Sequence, residues 1–83
     1  MPYIKKKDRK KFDMWNSYKV PSTCGELNYI FSCIIRAYIR IKGECYQTYN
    51  DIIGALENCK IELYRRKIAK YEDKKIKENG DVY

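Results

Sequence analysis

Thr23-Cys24-Gly25-Glu26-Leu27-Asn28-Tyr29-Ile30-Phe31-Ser32-Cys33-Ile34-Ile35-Arg36-Ala37-Tyr38-Ile39-Arg40-Ile41 is the stretch that decides the fold. Leu27, Ile30, Phe31, Ile34, Ile35, Tyr38 and Ile41 recur at three- and four-residue steps, which puts them on one face of an α-helix. Asn28, Ser32, Arg36 and Arg40 form the opposite row. Thr23 to Glu26 fits a capping box, in which Thr23 accepts from the Glu26 amide while the Glu26 carboxylate reaches back. Pro21 keeps the residue before it extended. These signals predict a helix over 24–41.

Lys42-Gly43-Glu44-Cys45 follows as a break, with Gly43 suited to the turn after a helix. Thr48 to Asp51 offers a second N-cap, and Asp51 suits the positive end of the helix dipole. Tyr49, Ile52, Ile53, Leu56, Cys59, Leu63, Ile68 and Tyr71 then recur near helical spacing, and no proline interrupts residues 49–78. Glu62–Arg66 and Asp73–Lys77 are favourable i,i+4 pairs, and Gly80 is the natural stop. The second helix is expected over 48–78.

Two helices joined by so short a link are expected to pack antiparallel as a hairpin over 24–78. The far end of the longer one is then left for residues 1–19, with Tyr3, Ile4, Phe12, Trp15 and Tyr18 as apolar anchors and a short helix near Asp8–Phe12. The expected architecture is all-α, one domain over 1–83, with a basic arm over 1–19 and a tail over 79–83.

Charge is unevenly spread. Of the net +7, residues 1–19 carry +5, residues 20–59 carry −1 and residues 60–83 carry +3. Such a bias favours anionic partners without choosing among nucleic acid, an acidic protein surface and a membrane face. Neither a secretory signal nor a membrane span is expected, because Met1–Lys7 leads into no apolar run and Asn28, Ser32, Arg36 and Arg40 interrupt the most apolar segment. A cytoplasmic protein is the reading. Cys24, Cys33, Cys45 and Cys59 form no close ligand pair, and the chain has no histidine, which argues against structural zinc. Free thiols packed as small apolar residues are expected, and no cofactor.

Catalysis finds little to work with. Acid–base and nucleophilic chemistry needs a group poised beside a partner. The one adjacent acidic pair, Glu72-Asp73, diverges on a helix, and no phosphate-cradling glycine pattern occurs. Binding is the expected mode. The candidates are Lys5, Lys6, Lys7 and Arg9 in the arm, Arg36 and Arg40 on the first helix, and Arg65, Arg66, Lys67, Lys70 and Lys74 on the second. Arg66, Lys70 and Lys74 share an i,i+4 row that can track phosphates. Nine tyrosines are many for this length. Tyr38, Tyr49, Tyr64 and Tyr71 read as core, whereas Trp15, Tyr18 and Tyr46 lie off the apolar rows and suit an interface.

The start Met1-Pro2-Tyr3-Ile4 with its basic run, Gly25-Glu26-Leu27-Asn28-Tyr29 and Ile53-Gly54-Ala55-Leu56-Glu57 resemble a family of small uncharacterised proteins of bacteria and their phages. The tail carries most of the likeness: Glu62-Leu63-Tyr64-Arg65-Arg66, then Tyr71-Glu72-Asp73-Lys74-Lys75-Ile76-Lys77-Glu78-Asn79-Gly80-Asp81-Val82. The chain departs from it in a shorter segment over Asp13–Thr23 and in having no proline near Lys70, so the helix is read as running straight there. The resemblance implies a helical fold and the cytoplasm of an infected or lysogenic bacterial host, and it assigns no activity. In that setting a non-catalytic protein is expected to act as a stoichiometric antagonist of host defence. Its partner would be a host protein, a protein–nucleic-acid complex such as a CRISPR effector, or an anionic nucleotide bound by an oligomer. The alternative is a small nucleic-acid-binding accessory protein.

Overall fold

The computed structural model describes residues 4–12 and 20–83. Every regular element among them is helical. Two short 3₁₀ turns, Lys6–Asp8 and Lys10–Phe12, come first. Then come α1 (Cys24–Lys42), α2 (Tyr46–Leu63), a π-helical turn (Tyr64–Ile68) and α3 (Ala69–Asn79). The last three join into one long helix of 34 residues. The all-α expectation holds. The described residues divide into two units at Gly43 and Glu44, one carrying α1 and the other the long helix.

In the first unit, α1 starts as its sequence demands. The Glu26 amide donates to Thr23 Oγ1 at 3.1 Å. The Glu26 carboxylate reaches back one residue further than expected, accepting from the Ser22 amide at 2.9 Å and the Ser22 hydroxyl at 3.2 Å. Along the polar row the Ser32 hydroxyl donates to the Asn28 carbonyl at 3.2 Å. The helix ends at Gly43, whose amide donates to the Ile39 carbonyl at 2.7 Å. Gly43 has φ 87° and ψ 154°, a region that side chains disfavour strongly.

In the second unit the helix begins at Tyr46, earlier than the Thr48–Asp51 signal predicts. Cys45 is the N-cap residue and makes no side-chain bond to the backbone there. Thr48 falls in the first turn, where its Oγ1 lies 3.3 Å from Cys45 Sγ. Gln47 donates to Asp51 Oδ1 at 2.8 Å and so supports the same turn. At the far end Gly80 repeats the Gly43 geometry, with φ 85° and ψ 150°, and donates to the Ile76 carbonyl at 2.8 Å.

The long helix does not run straight in register. At Tyr64–Ile68 the ladder widens, and the Ala69 amide donates to the Tyr64 carbonyl, five residues back. The apolar row explains why. It steps by four from Ile52 to Leu56 and by three and four to Cys59 and Leu63, then by five to Ile68. In a regular α-helix a five-residue step turns the next side chain by roughly 140°, off the face, whereas a four-residue step turns it by roughly 40°. A π turn accommodates one extra residue. Ile68 and Tyr71 therefore stay in line with Leu56 and Leu63.

Ion pairing also differs in detail. Among the described residues Lys60–Glu57 at 3.5 Å and Lys75–Glu78 at 3.2 Å are close pairs, both i,i+3, and Asp73–Lys77 is not one. All are exposed surface pairs, each contributing a few tenths of a kcal/mol at most, of order ~0.5.

Burial departs most from expectation. Among the described residues no apolar side chain is buried, and Thr48 alone is buried. Tyr49, Tyr64 and Tyr71, expected as core, are exposed, and only Tyr38 is half-buried. The four cysteines are free thiols, yet only Cys33 is half-buried and the other three are exposed, so they do not act as core filling.

Candidate functional site

The candidate residues stand on three separate structures. Lys6 and Lys7 form the first 3₁₀ turn, and Lys5 caps it. The Asp8 amide donates to the Lys5 carbonyl at 2.8 Å, and Arg9 Nε donates to the Ile4 carbonyl at 3.0 Å. Lys5, Lys7 and Lys11 line an open depression together with Asp8, Ile4 and Phe12. Lys11 Nζ lies 5.3 Å from the centre of the Phe12 ring. This cation–π contact neutralises nothing, so the positive charge stays available.

Arg36 and Arg40 are one turn apart on α1, both exposed, on the face opposite Leu27, Phe31 and Ile34. At the start of the same helix Val20, Pro21, Gly25, Tyr29 and Ile30 line an open, largely apolar groove of about 440 Å³.

The third group sits on the long helix. Arg65, Arg66 and Lys67 lie within the π turn, with Lys70 and Lys74 in α3. All five are exposed. The wide turn is a feature that residue-by-residue charge reading misses; the five-residue step from Leu63 to Ile68 was its visible signal. By allowing for the extra residue, Arg66, Lys70 and Lys74 stay within roughly 60° of one another, away from the apolar row. Tyr71 belongs to the apolar side and carries Lys75 Nζ 5.5 Å from its ring centre.

Cys45, Tyr49 and Tyr64 are among the groups with shifted acidities. The hydrogen bond with the Thr48 side chain, 3.3 Å between Sγ and Oγ1, holds the Cys45 thiol below its ordinary value. Partial desolvation first, then the Glu44 carboxylate, which accepts from the Tyr49 hydroxyl at 3.3 Å, push that phenol up. Tyr64, at the start of the π turn, is raised by Glu72, as hydrogen-bond acceptor first and as a charge second.

Trp15 and Tyr18 lie outside the described residues. Tyr46, the first residue of α2, is 80% exposed, as an interface candidate should be. Among the described residues no group of three cysteines or carboxylates is placed to hold a metal ion. None of the described helices is long and apolar enough to cross a membrane.

Residues 1–82 match the family described as Domain of unknown function (DUF6899), and the chain belongs to that family. No curated protein and no solved structure matches it.

Proposed function

We propose that the protein works by stoichiometric binding rather than by catalysis, as an antagonist of host defence in a bacterial cell infected by, or carrying, a phage. The observation that carries the binding reading is the exposure of apolar side chains along both helical units, including Phe31, Ile34, Leu56, Leu63 and Ile68. A chain of 83 residues has little stability to spare, and an exposed apolar row is a surface for a partner. The phage setting rests on the likeness of the two ends of the chain to small phage and bacterial proteins.

The test is affinity capture of host proteins on the tagged full chain, with and without nuclease, combined with plating of a sensitive phage on defended cells expressing the chain. A host protein held in stoichiometric amount after nuclease, together with restored plating, supports the reading. The absence of both host-protein binding and restored plating refutes it.

A second reading is favoured by the aligned Arg66, Lys70 and Lys74: a nucleic-acid-binding accessory protein. Three phosphate contacts predict a log–log salt dependence with a slope of about −3 on duplex DNA. No binding to mixed-sequence DNA or RNA at low salt would eliminate it. A bound anionic nucleotide would instead show saturable stoichiometry with a small ligand.

A further inference from the structure

We infer that the long helix pairs with the long helix of a second copy of this chain, antiparallel, through the row Ile52, Leu56, Leu63, Ile68 and Tyr71. Three observations select that occupant. The first is continuity. Leu56, Leu63, Ile68 and Tyr71 are 40%, 55%, 40% and 61% exposed, and the π turn holds them on one face across its five-residue step. A regular helix would turn Ile68 by roughly 140° and Tyr71 by roughly 80° from Leu63. The wide turn gives up regular α-helical hydrogen bonding and gains a single long apolar row.

The second is charge. Tyr46–Leu63 carries Asp51, Glu57 and Glu62 against Lys60, a net −2. Tyr64–Asn79 carries seven bases against Glu72, Asp73 and Glu78, a net +4. Antiparallel pairing sets the acidic half of each copy beside the basic half of the other, twice over by two-fold symmetry. A parallel pair would stack like on like. The same segregation makes this surface self-complementary, which an arbitrary partner would not require.

The third is size. The row from Ile52 to Tyr71 spans about 30 Å within a helix of about 50 Å, so a contact strip about 10–12 Å wide amounts to roughly 600–1,200 Å² over both copies. Specific interfaces start near about 1,200 Å². The pairing is therefore a reversible one, set by concentration.

With the two rows centred on each other near Glu62 and Leu63, Leu56 of one copy faces Ile68 of the other. The experiment uses the full chain. Sedimentation equilibrium should give about twice the 10.0 kDa of one chain, falling to the single-chain mass in Leu63→Asp. Helical circular dichroism of the variant, read at the same concentration, separates lost pairing from lost folding. Orientation is read in a background with all four cysteines replaced by serine. Separately tagged Leu56→Cys and Ile68→Cys chains are mixed and oxidised. Predominantly mixed disulfide pairs are expected. A single-chain mass for the unaltered protein at high concentration, or pairs only of like with like, would overturn the inference. This pairing is independent of the proposed function: a chain that pairs but captures nothing from the host keeps one and loses the other.

Discussion

α1 starts at a side-chain cap, Thr23, and spaces its apolar residues by threes and fours to its last turn. The long helix starts at Cys45 with no such cap, and it takes one five-residue step that a π turn accommodates. The first is a helix whose local signals agree with each other. The second gives up local regularity at Tyr64–Ile68 to keep Leu56, Leu63, Ile68 and Tyr71 in line. Regularity is surrendered only where a face has something to gain, and a row that stays continuous from Ile52 to Tyr71 is worth keeping when another surface reads it.

The two glycine ends sharpen this contrast most strongly. Gly43 and Gly80 share nearly the same backbone angles, and a methyl group added at either meets no atom within 4 Å. Any cost of alanine is therefore backbone strain alone, of order ~1–3 kcal/mol. At Gly43, between the two helical units, Gly43→Ala should lower the melting temperature by about 4–8 °C per kcal/mol. At Gly80, after the last turn of α3, the same change should fray that turn and move the melt less than Gly43→Ala does. Equal shifts from the two variants would contradict the account.

The helix starts give the next largest effect. Thr23→Ala removes the bond to the Glu26 amide and should cost about 1 kcal/mol. Cys45→Ala removes a side chain that bonds Thr48 but caps no backbone group, so thermal or urea melts should place it well below Thr23→Ala. A larger loss at Cys45 would reverse the assignment of which helix is capped.

The smallest effect is in pH. Because the folded Cys45 thiol is held below its ordinary value, its contribution is full above the unfolded thiol value, about 8.5, and is lost as pH falls through the folded one. Alkylation of Cys45 should set in at lower pH in the folded chain than in urea, measured by site-resolved mass spectrometry. Identical onset would show that the Thr48 hydrogen bond does not hold in solution.

Much of the fold was legible. Thr23, Glu26, Gly43 and Gly80 each mark an end where the structure has one, because caps and positive-φ turns depend on neighbours a few residues away. The start at Tyr46 was not legible, because Thr48 is a favoured cap and Cys45 is not. The five-residue step was in plain view between Leu63 and Ile68, yet spacing that is nearly helical does not announce how the backbone will absorb the extra residue. Tyr49, Tyr64 and Tyr71 were expected inside because amphipathic periodicity reports which residues share a face, not whether anything covers it. The basic candidates Lys5, Lys6, Lys7, Arg9, Arg36, Arg40, Arg65, Arg66, Lys67, Lys70 and Lys74 are exposed, but charge draws any anion and names none. Trp15 and Tyr18 fall outside the described residues.

The most direct test of the central claim is the mass of two register variants by sedimentation equilibrium. Deleting Lys67 turns the five-residue step into a four-residue one, so a regular helix would carry the row intact; inserting one alanine after Lys67 rotates Ile68 and Tyr71 off it by roughly 100°. The account predicts a paired deletion variant and a single-chain insertion variant, both helical. Equal masses for the two would contradict it.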